Sequence, residues 1–288
     1  MSSESDPSRR EPVRTALPQH SGLSTQDFAD WEGFARAVQT RVGIDLSSYR
    51  PVQLQRRVGG LMARARVHRL ADYLTTLDDD PERLMRFRDS LTVTVSEFFR
   101  SPDRFEELGQ VIFPKLLAER RGLRVWSAGC SYGPEAYSLA ILLAELAPSA
   151  RHQVLGTDVD ELVLDRARAA NTFTERDLRN VPAHLRQRHF QPGRRTPRPS
   201  VRSLVRFQRH DLLEGAPESG FDLAVCRNVL MYFTPDAKRR AADVLYDALR
   251  PGGYLFTGSG EALAELPEAG FTRVAVGFYR KEEMHARS

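Results

Sequence analysis

The sequence has few of the residues and segments that mark secreted, membrane or metal-binding proteins. Its 288 residues include two cysteines, which excludes a disulfide framework, and no apolar run is long enough to span a bilayer. Residues 1–24 are polar and lack the apolar core of a signal peptide, so we expect a flexible tail there. The seven histidines show no ligand spacing, and we expect no metal. These absences favour a cytoplasmic monomer without direct membrane insertion.

The chain also lacks the usual glycine-rich phosphate motifs. An apolar strand, Leu123 to Trp126, is followed by a turn of small residues, but Ser131 stands where a dinucleotide fingerprint has glycine. A phosphate-binding loop would continue Gly133 with lysine, and here Pro134 and Glu135 follow. A glutamate would repel a phosphate and could meet a cation, so the turn predicts a ligand without phosphate.

The next predicted strand ends at an acidic residue that can bind the hydroxyls of a sugar. Gln153 to Thr157 ends at Asp158, where a carboxylate can accept both hydroxyls of a ribose. A ligand with a ribose, no phosphate and a positively charged amino acid portion fits both turns, and S-adenosylmethionine has all three. The alternative that Asp158 caps the following helix stays open.

Alternating strands and helices predict an α/β fold with a doubly wound sheet over residues 93–288, preceded by a helical domain over residues 25–92. Helices are expected at Thr25–Arg41, Val52–Leu77, Pro81–Leu91, Pro102–Arg120, Glu161–Ala170 and Pro235–Arg250. Strands are expected at Leu123–Trp126, Gln153–Thr157, Leu204–Phe207, Phe221–Cys226 and Tyr254–Gly258, with a closing pair within residues 271–280. In such sheets a ligand binds at the carboxyl ends of the strands.

Positive charge is concentrated in one predicted helix. The chain carries a net charge of +4, and residues 50–71 contain six arginines and no acidic residue. Arg57 and Arg64 lie two turns apart, and with Arg56 they predict docking of an acidic partner. A solvated basic face remains the alternative. No aromatic residues alternate with these arginines, which argues against nucleic acid.

Six motifs in order resemble the chemotaxis receptor glutamate O-methyltransferases. They are LTVTVSEFFR (91–100), SAGCSYGPEAYS (127–138), GTDVD (156–160), RHDLL (209–213), CRNVLMYF (226–233) and PGGYLFTGSGEAL (251–263). The resemblance implies an N-terminal all-α domain, a Rossmann-like methyltransferase domain and a small inserted β-subdomain at about residues 172–209. It also implies methyl transfer from S-adenosylmethionine to glutamates on the cytoplasmic helical bundle of chemoreceptors.

Matched residue by residue, the family pattern implies two sets of site residues. Arg100 and Tyr232 would act at the reacting groups. The cofactor would be held by Thr94, Ser96, Arg100, Ala128, Glu135, Asp158, Asp211, Leu212, Asn228 and Val229. A glutamate carboxylate is already ionised at neutral pH, so no general base is expected and positioning becomes the main catalytic act.

Residues that differ from those common in the family are Thr94, Tyr132, the run Pro134-Glu135-Ala136, and Asp211, which stands where Asn is common. The bulk of Tyr132 favours an alternative in which the fold binds S-adenosylmethionine or its product as a regulatory module without catalysis. A third hypothesis is a methyltransferase for another acidic protein. The segment CRNVLMYF (226–233) lacks the Pro-Pro-aromatic turn of enzymes that methylate nucleic-acid amino groups, which argues against a flipped base as substrate.

Overall fold

The computed structural model describes residues 30–91, 96–258, 261 and 265–282. The expected tail over residues 1–24 and the predicted site residue Thr94 lie outside these described residues. Within the described ranges, no helix combines the length and the apolar composition needed to cross a membrane.

The first helices of the described chain pack around one apolar core. They are α1 (Trp31–Val42), α2 (Pro51–Ala65), α3 (Leu70–Asp78) and α4 (Pro81–Leu91). Phe87 lies at the centre, with its ring edge-on to the rings of Phe34 and Tyr73 at centroid distances of 6.1 and 5.8 Å. Leu54 and Val58, one turn apart on α2, are buried in the same cluster. The predicted N-terminal helical domain is confirmed.

The single helix predicted over Val52–Leu77 is wrong, because the structure has two helices there. Arg66 adopts φ 57°, a left-handed conformation that ends α2. The next residue, Val67, donates its N–H to the carbonyl of Met62 at 3.0 Å. Such a reversal satisfies the last carbonyls of a helix, and α3 then starts in a new direction. Amphipathic spacing alone did not reveal this stop.

Seven strands form one sheet in the order β3-β2-β1-β4-β5-β7-β6. The strands are β1 (Arg124–Ala128), β2 (Gln153–Asp158), β3 (Val205–Arg209), β4 (Phe221–Cys226), β5 (Leu249–Thr257), β6 (Phe271–Ala275) and β7 (Phe278–Lys281). Strands β1 to β5 are parallel, and β7 pairs antiparallel with β5 and β6. The predicted strands are confirmed, although β5 starts at Leu249, earlier than the predicted Tyr254.

Apolar side chains on both faces of the sheet require helices on both faces. Val125, Val154 and Val225 belong to one buried cluster, and their neighbours Trp126, Leu155 and Ala224 belong to another. The remaining helices of the described chain are α5 (Pro102–Glu107), α6 (Phe113–Glu119), α7 (Pro134–Leu146), α8 (Glu161–Ala169), α9 (Ala183–His189), α10 (Pro199–Arg202), α11 (Pro235–Ala248) and α12 (Glu265–Glu268). The doubly wound architecture is confirmed, and its strand order reverses between β1 and β4, where a ligand is expected.

The helix predicted over Pro102–Arg120 has a wide turn in its middle. A π-helical turn, Leu108–Ile112, joins α5 to α6. Pro114 follows this turn and has no N–H for the carbonyl of Gln110, four residues earlier. The wider turn removes the conflict with an ordinary α-helical bond at this position.

The prediction of an inserted β-subdomain at residues 172–209 is corrected by the structure. Apart from one isolated bridge between Phe190 and Pro197, the segment contains α9 and α10, and β3 at its end pairs with β2 of the main sheet. The physical reason is that Pro182 and Pro199 stand at the starts of α9 and α10, where the missing N–H of a proline costs no helical hydrogen bond. The segment is instead anchored to α7 by the His189 ring, whose Nε2 lies 2.5 Å from Glu145 Oε1.

Asp222 should be a main determinant of stability, because its fully buried carboxylate joins three segments. It accepts hydrogen bonds from the Arg124 backbone N at 2.8 Å and from Arg250 Nε at 2.6 Å. Asp222→Ala removes the acceptor of the Arg124 N–H and of Arg250 Nε, while Arg250 Nη2 keeps its bond to Glu119 Oε2 at 2.7 Å. We therefore expect a loss of about 2 to 3 kcal/mol in the free energy of unfolding by urea. The control Asp236→Ala, whose side chain is 90% exposed, should lose less than about 1 kcal/mol. Equal losses in the two variants would contradict this account.

Candidate functional site

A crevice of about 1180 Å³, open to solvent, lies at the carboxyl ends of β1, β2 and β4. Among the predicted site residues, those that line it are Ser96, Arg100, Glu135, Asp158, Asp211, Leu212, Asn228, Val229 and Tyr232. Ala128 instead has its side chain buried in the sheet beneath the crevice. The structure therefore brings nearly all of the predicted catalytic and cofactor residues that it describes into one crevice.

The turn after β1 brings its backbone close to the crevice and to the loop after β4. The N–H groups of Gly129 and Cys130 both donate to the carbonyl of Thr157 at 2.8 Å, which ties the turn to β2. Gly129 has φ 72°, and a Cβ there would lie 2.5 Å from the Val229 side chain. Only glycine allows this approach, as the sequence analysis expected of a turn poor in Cβ atoms.

Asp158 lies at the end of β2 as predicted, and its carboxylate faces the crevice. Oδ2 accepts the N–H of Ser131 at 2.9 Å and Oδ1 accepts the N–H of Asp160 at 3.1 Å. Burial raises the pKa of Asp158 to about 6, although these hydrogen bonds act in the opposite direction. Helix α8 is capped by Asp160, which accepts the N–H of Leu162 at 3.0 Å, so Asp158 has no capping role there.

Glu135 opens α7 and forms a buried ion pair that the sequence analysis missed. Its Oε1 accepts the Ser127 hydroxyl at 2.7 Å, and its Oε2 lies 3.5 Å from Arg227 Nη1. Burial raises the pKa of Glu135, opposed by the charge of Arg227 and, more weakly, by that of Arg100. Burial also lowers the pKa of Arg227. Neither charge is fully compensated, so Glu135 can receive a further cation. The signal available in the sequence was an arginine placed directly after the near-continuous apolar run of β4.

The backbone of Arg100 is held in place through the same arginine. Arg227 Nη2 donates to the Arg100 carbonyl at 2.8 Å and contacts the Ser101 hydroxyl at 3.0 Å. The Arg227 guanidinium also lies over the Phe256 ring, 4.6 Å from its centroid. The end of β4 therefore fixes where the incoming chain from the helical domain passes the crevice.

A buried glutamate that the sequence analysis did not single out organises the loop after β4. Glu261 Oε2 accepts the N–H groups of Asn228 at 2.8 Å and Gly258 at 2.9 Å, and its Oε1 accepts that of Met231 at 3.2 Å. These bonds hold Asn228 in its left-handed conformation, φ 60°, and set the short helical turn that ends at Tyr232. In the sequence, the feature that could have pointed to this role was the acidic residue within GSGEAL (258–263).

Tyr132 does not obstruct the crevice. Its ring packs against Phe173 at a centroid distance of 6.1 Å and lies beneath the guanidinium of Arg166 at 4.7 Å. Its hydroxyl contacts the Ser96 carbonyl and lies 3.0 Å from Asp177 Oδ1. The extra bulk therefore fills the space behind the turn and anchors Ser96, a predicted cofactor residue.

The three predicted docking arginines do not form one row. Arg57 and Arg64 are two turns apart on α2, but Arg57 turns into the crevice. Its Nη1 donates to the Leu91 carbonyl at 2.9 Å, and its guanidinium lies 5.3 Å from the Tyr232 ring centroid. Arg56 and Arg64 stay exposed. The helical domain also lines the crevice through residues that the sequence analysis did not assign to it: Tyr49, Arg50, Leu54 and Leu91.

Among the described residues, no group of three or more histidines, cysteines or acids could hold a metal ion. Cys130 and Cys226 are buried, and burial raises the pKa of both thiols.

Comparison with known proteins identifies two matching family domains. Residues 29–92 match the family described as "CheR methyltransferase, all-alpha domain", and residues 94–275 match "CheR methyltransferase, SAM binding domain". The chemotaxis protein methyltransferase of Listeria innocua is 36% identical over 255 residues, covering 88% of this chain and 97% of that protein. Chemotaxis protein methyltransferase 1 of Pseudomonas aeruginosa is 33% identical over 253 residues, covering 83% of this chain and 92% of that protein.

Because an ionised carboxylate is the better acceptor for ribose hydroxyls, affinity for S-adenosylhomocysteine should fall as Asp158 becomes protonated. With a pKa of about 6, Asp158 is mostly ionised at pH 7.5 and mostly neutral at pH 5. We expect about tenfold weaker binding at pH 5 than at pH 7.5, measured by calorimetry. Asp158→Asn should bind weakly and lose this pH dependence, whereas Glu135→Gln should keep it. A wild-type affinity that does not change over this range would contradict the assignment.

The crevice fits the cofactor that this family binds. It holds two desolvated carboxylates, Asp158 and Glu135, which are groups that can accept hydroxyls and attract a positive charge, and Gly129 lets a ligand approach the backbone. The domain order, the sheet and the crevice all agree with the two matched domains. This chain belongs to the CheR methyltransferase family, and it binds S-adenosylmethionine.

Proposed function

We propose that this protein methylates glutamate side chains on the cytoplasmic helical bundle of chemoreceptors, as a protein-glutamate O-methyltransferase of chemotaxis. The observation that carries the proposal is that Arg57 and Arg100 line the same crevice as Glu135 and Asp158. An acidic side chain entering this crevice would meet guanidinium groups next to the residues assigned to the cofactor. The names of the relatives, which are chemotaxis protein methyltransferases, support the same substrate class.

Methyl transfer to a carboxylate requires little of the protein beyond positioning the two reactants. When bound, S-adenosylmethionine supplies a methyl group on a positively charged sulfur. A glutamate carboxylate is a ready nucleophile near neutral pH, and it loses its charge when its oxygen gains the methyl group. No proton has to move, so holding the two reactants in line supplies most of the rate enhancement.

Arg100 is the residue best suited to hold the substrate carboxylate. A guanidinium can bind a carboxylate through two parallel hydrogen bonds, and the Arg100 backbone is fixed through Arg227. Tyr232 lies on the opposite segment, where its ring meets the guanidinium of Arg57. Together, Tyr232 and Arg57 form a wall that limits how a glutamate side chain can enter.

The docking surface would be the outer face of α2. Arg56 and Arg64 are exposed there, and the segment from Arg50 to Arg69 has no acid to neutralise them. A chemoreceptor bundle that presents glutamates would be attracted to this face, and Arg57 would lead one side chain into the crevice. The reaction would take place at the cytoplasmic part of the receptor, between a monomeric enzyme and its protein substrate.

Incubation of the protein with methyl-labelled S-adenosylmethionine and receptor cytoplasmic fragments tests the proposal. We expect label on the receptor that base releases as methanol, since glutamyl methyl esters are base-labile. Fragments with the acceptor glutamates changed to alanine should stay unlabelled. Arg100→Lys keeps the charge but loses the two-pronged contact, and should lower the labelling rate by about ten- to a hundredfold.

Two other outcomes would contradict the proposal. Tight binding of S-adenosylhomocysteine without any labelling would indicate a regulatory binding module. Labelling of another acidic protein in preference to receptor fragments would indicate a different protein substrate.

Reversing the exposed charges of α2 should weaken receptor docking alone. For Arg56→Glu combined with Arg64→Glu we expect at least about a tenfold increase in KM for receptor fragments and an unchanged affinity for S-adenosylhomocysteine. The control pair Arg36→Glu and Arg86→Glu makes the same charge change on α1 and α4, at side chains 74% and 62% exposed. This control should keep the wild-type KM. Equal effects of the two pairs would mean that net charge, and not this face, attracts the receptor.

A further inference from the structure

The helical domain and the methyltransferase domain are joined by a short backbone pairing beside the crevice. Tyr49 forms an isolated antiparallel bridge with Phe233. The N–H of Arg50 donates to the Tyr232 carbonyl at 2.8 Å, and the N–H of Thr234 donates to the Ser48 carbonyl at 2.9 Å. This pairing attaches the start of α2 to the loop after β4, which also carries the predicted cofactor residues Asn228 and Val229.

The side chain of Tyr49 points from this pairing into the crevice. Its ring lies edge-on to the Phe233 ring at a centroid distance of 5.2 Å, and the residue lines the crevice wall. Burial, together with the nearby charges of Asp211 and Asp158, raises the pKa of its hydroxyl. The phenol therefore keeps its proton, and it shares the crevice wall with Asp158, the acid assigned to the ribose, and with Asp211.

We propose that Tyr49 is a cofactor-binding residue, which completes the adenosine site from the helical domain. Its hydroxyl donates a hydrogen bond to the adenosine portion of S-adenosylmethionine or its product. None of the motifs of the methyltransferase domain contains this residue, because it lies in the other domain. The inference depends on cofactor binding alone and does not require that the substrate be a receptor glutamate.

A consequence is that the cofactor bridges the two domains. A ligand held by Asp158 on one side and by Tyr49 on the other can bind fully only while the pairing of residues 48–50 with residues 232–234 is formed. Ligand binding then stabilises this pairing by mass action, because the separated domains would bind the ligand less well.

The test compares Tyr49→Phe with Tyr73→Phe, by calorimetry with S-adenosylhomocysteine. Tyr49→Phe keeps the ring on Phe233 and removes only the hydroxyl, and we expect about three- to tenfold weaker binding with an unchanged melting temperature of the free protein. Tyr73→Phe makes the same change in the buried core of the helical domain, away from the crevice, and should bind normally. A Tyr49→Phe affinity within about twofold of wild type would overturn the proposal.

A second ligand tests the position of the contact. Methylthioadenosine lacks the amino acid portion, and we expect Tyr49→Phe to weaken its binding by the same factor. A loss seen with S-adenosylhomocysteine and not with methylthioadenosine would place the hydroxyl at the amino acid end and overturn the assignment to adenosine.

Hydrogen exchange provides a readout of the domain pairing that does not depend on activity. S-adenosylhomocysteine should slow exchange of the Arg50 and Thr234 amides in the wild-type protein, and slow it less in Tyr49→Phe at equal occupancy. Exchange that the ligand leaves unchanged in the wild-type protein would show that it does not bridge the domains. Neither measurement involves a receptor, so failure here is separate from failure of the proposed methylation.

Discussion

A buried ion pair between Glu135 and Arg227 is the interaction on which the arrangement of this crevice depends. It connects the start of α7 to the end of β4, and through the Arg100 carbonyl it also holds the chain that enters from the helical domain. Burying two charges is costly unless each is well paired, and here both pKa shifts show that desolvation exceeds the mutual attraction. Such a pair is better suited to fixing geometry and receiving a charged ligand than to stabilising the fold.

Two of the acids that line the crevice, Asp158 and Glu135, occupy separate positions in the fold. Asp158 ends β2 and is supported by two backbone N–H groups, while Glu135 starts α7 and faces arginines. Another acid, Glu261, takes no part in lining the crevice. Its oxygens instead accept the N–H groups of Asn228 and Met231 in the loop after β4 and that of Gly258 after β5. Glu261 differs from the two crevice acids in its capacity to accept further hydrogen bonds. A carboxylate that already accepts several backbone N–H groups has little such capacity left for a ligand, whereas a desolvated carboxylate with fewer donors has more.

Sequence patterns predicted the sheet well because its strands carry local signals. The near-continuous apolar run of β4 and the small residues after β1 reflect burial and close approach, and both can be recognised one segment at a time. The inserted segment was harder to predict. The resemblance implied a β-subdomain there, but prolines along residues 182–199 left two short helices and a single bridge. The break at Arg66 was also invisible, since a left-handed arginine leaves no mark on hydrophobic spacing.

For the site, the sequence by itself determined which residues after the strands line the crevice, such as Asp158, Glu135 and Asn228, because parallel strands bring their carboxyl ends to one edge of the sheet. Only the tertiary structure decided which way long side chains turn. It directed Tyr132 behind the turn, Arg57 into the crevice and Arg64 to solvent, and it brought Tyr49 to the crevice wall from another domain. The reason is that these orientations are set by neighbours distant in sequence, and no local pattern records them.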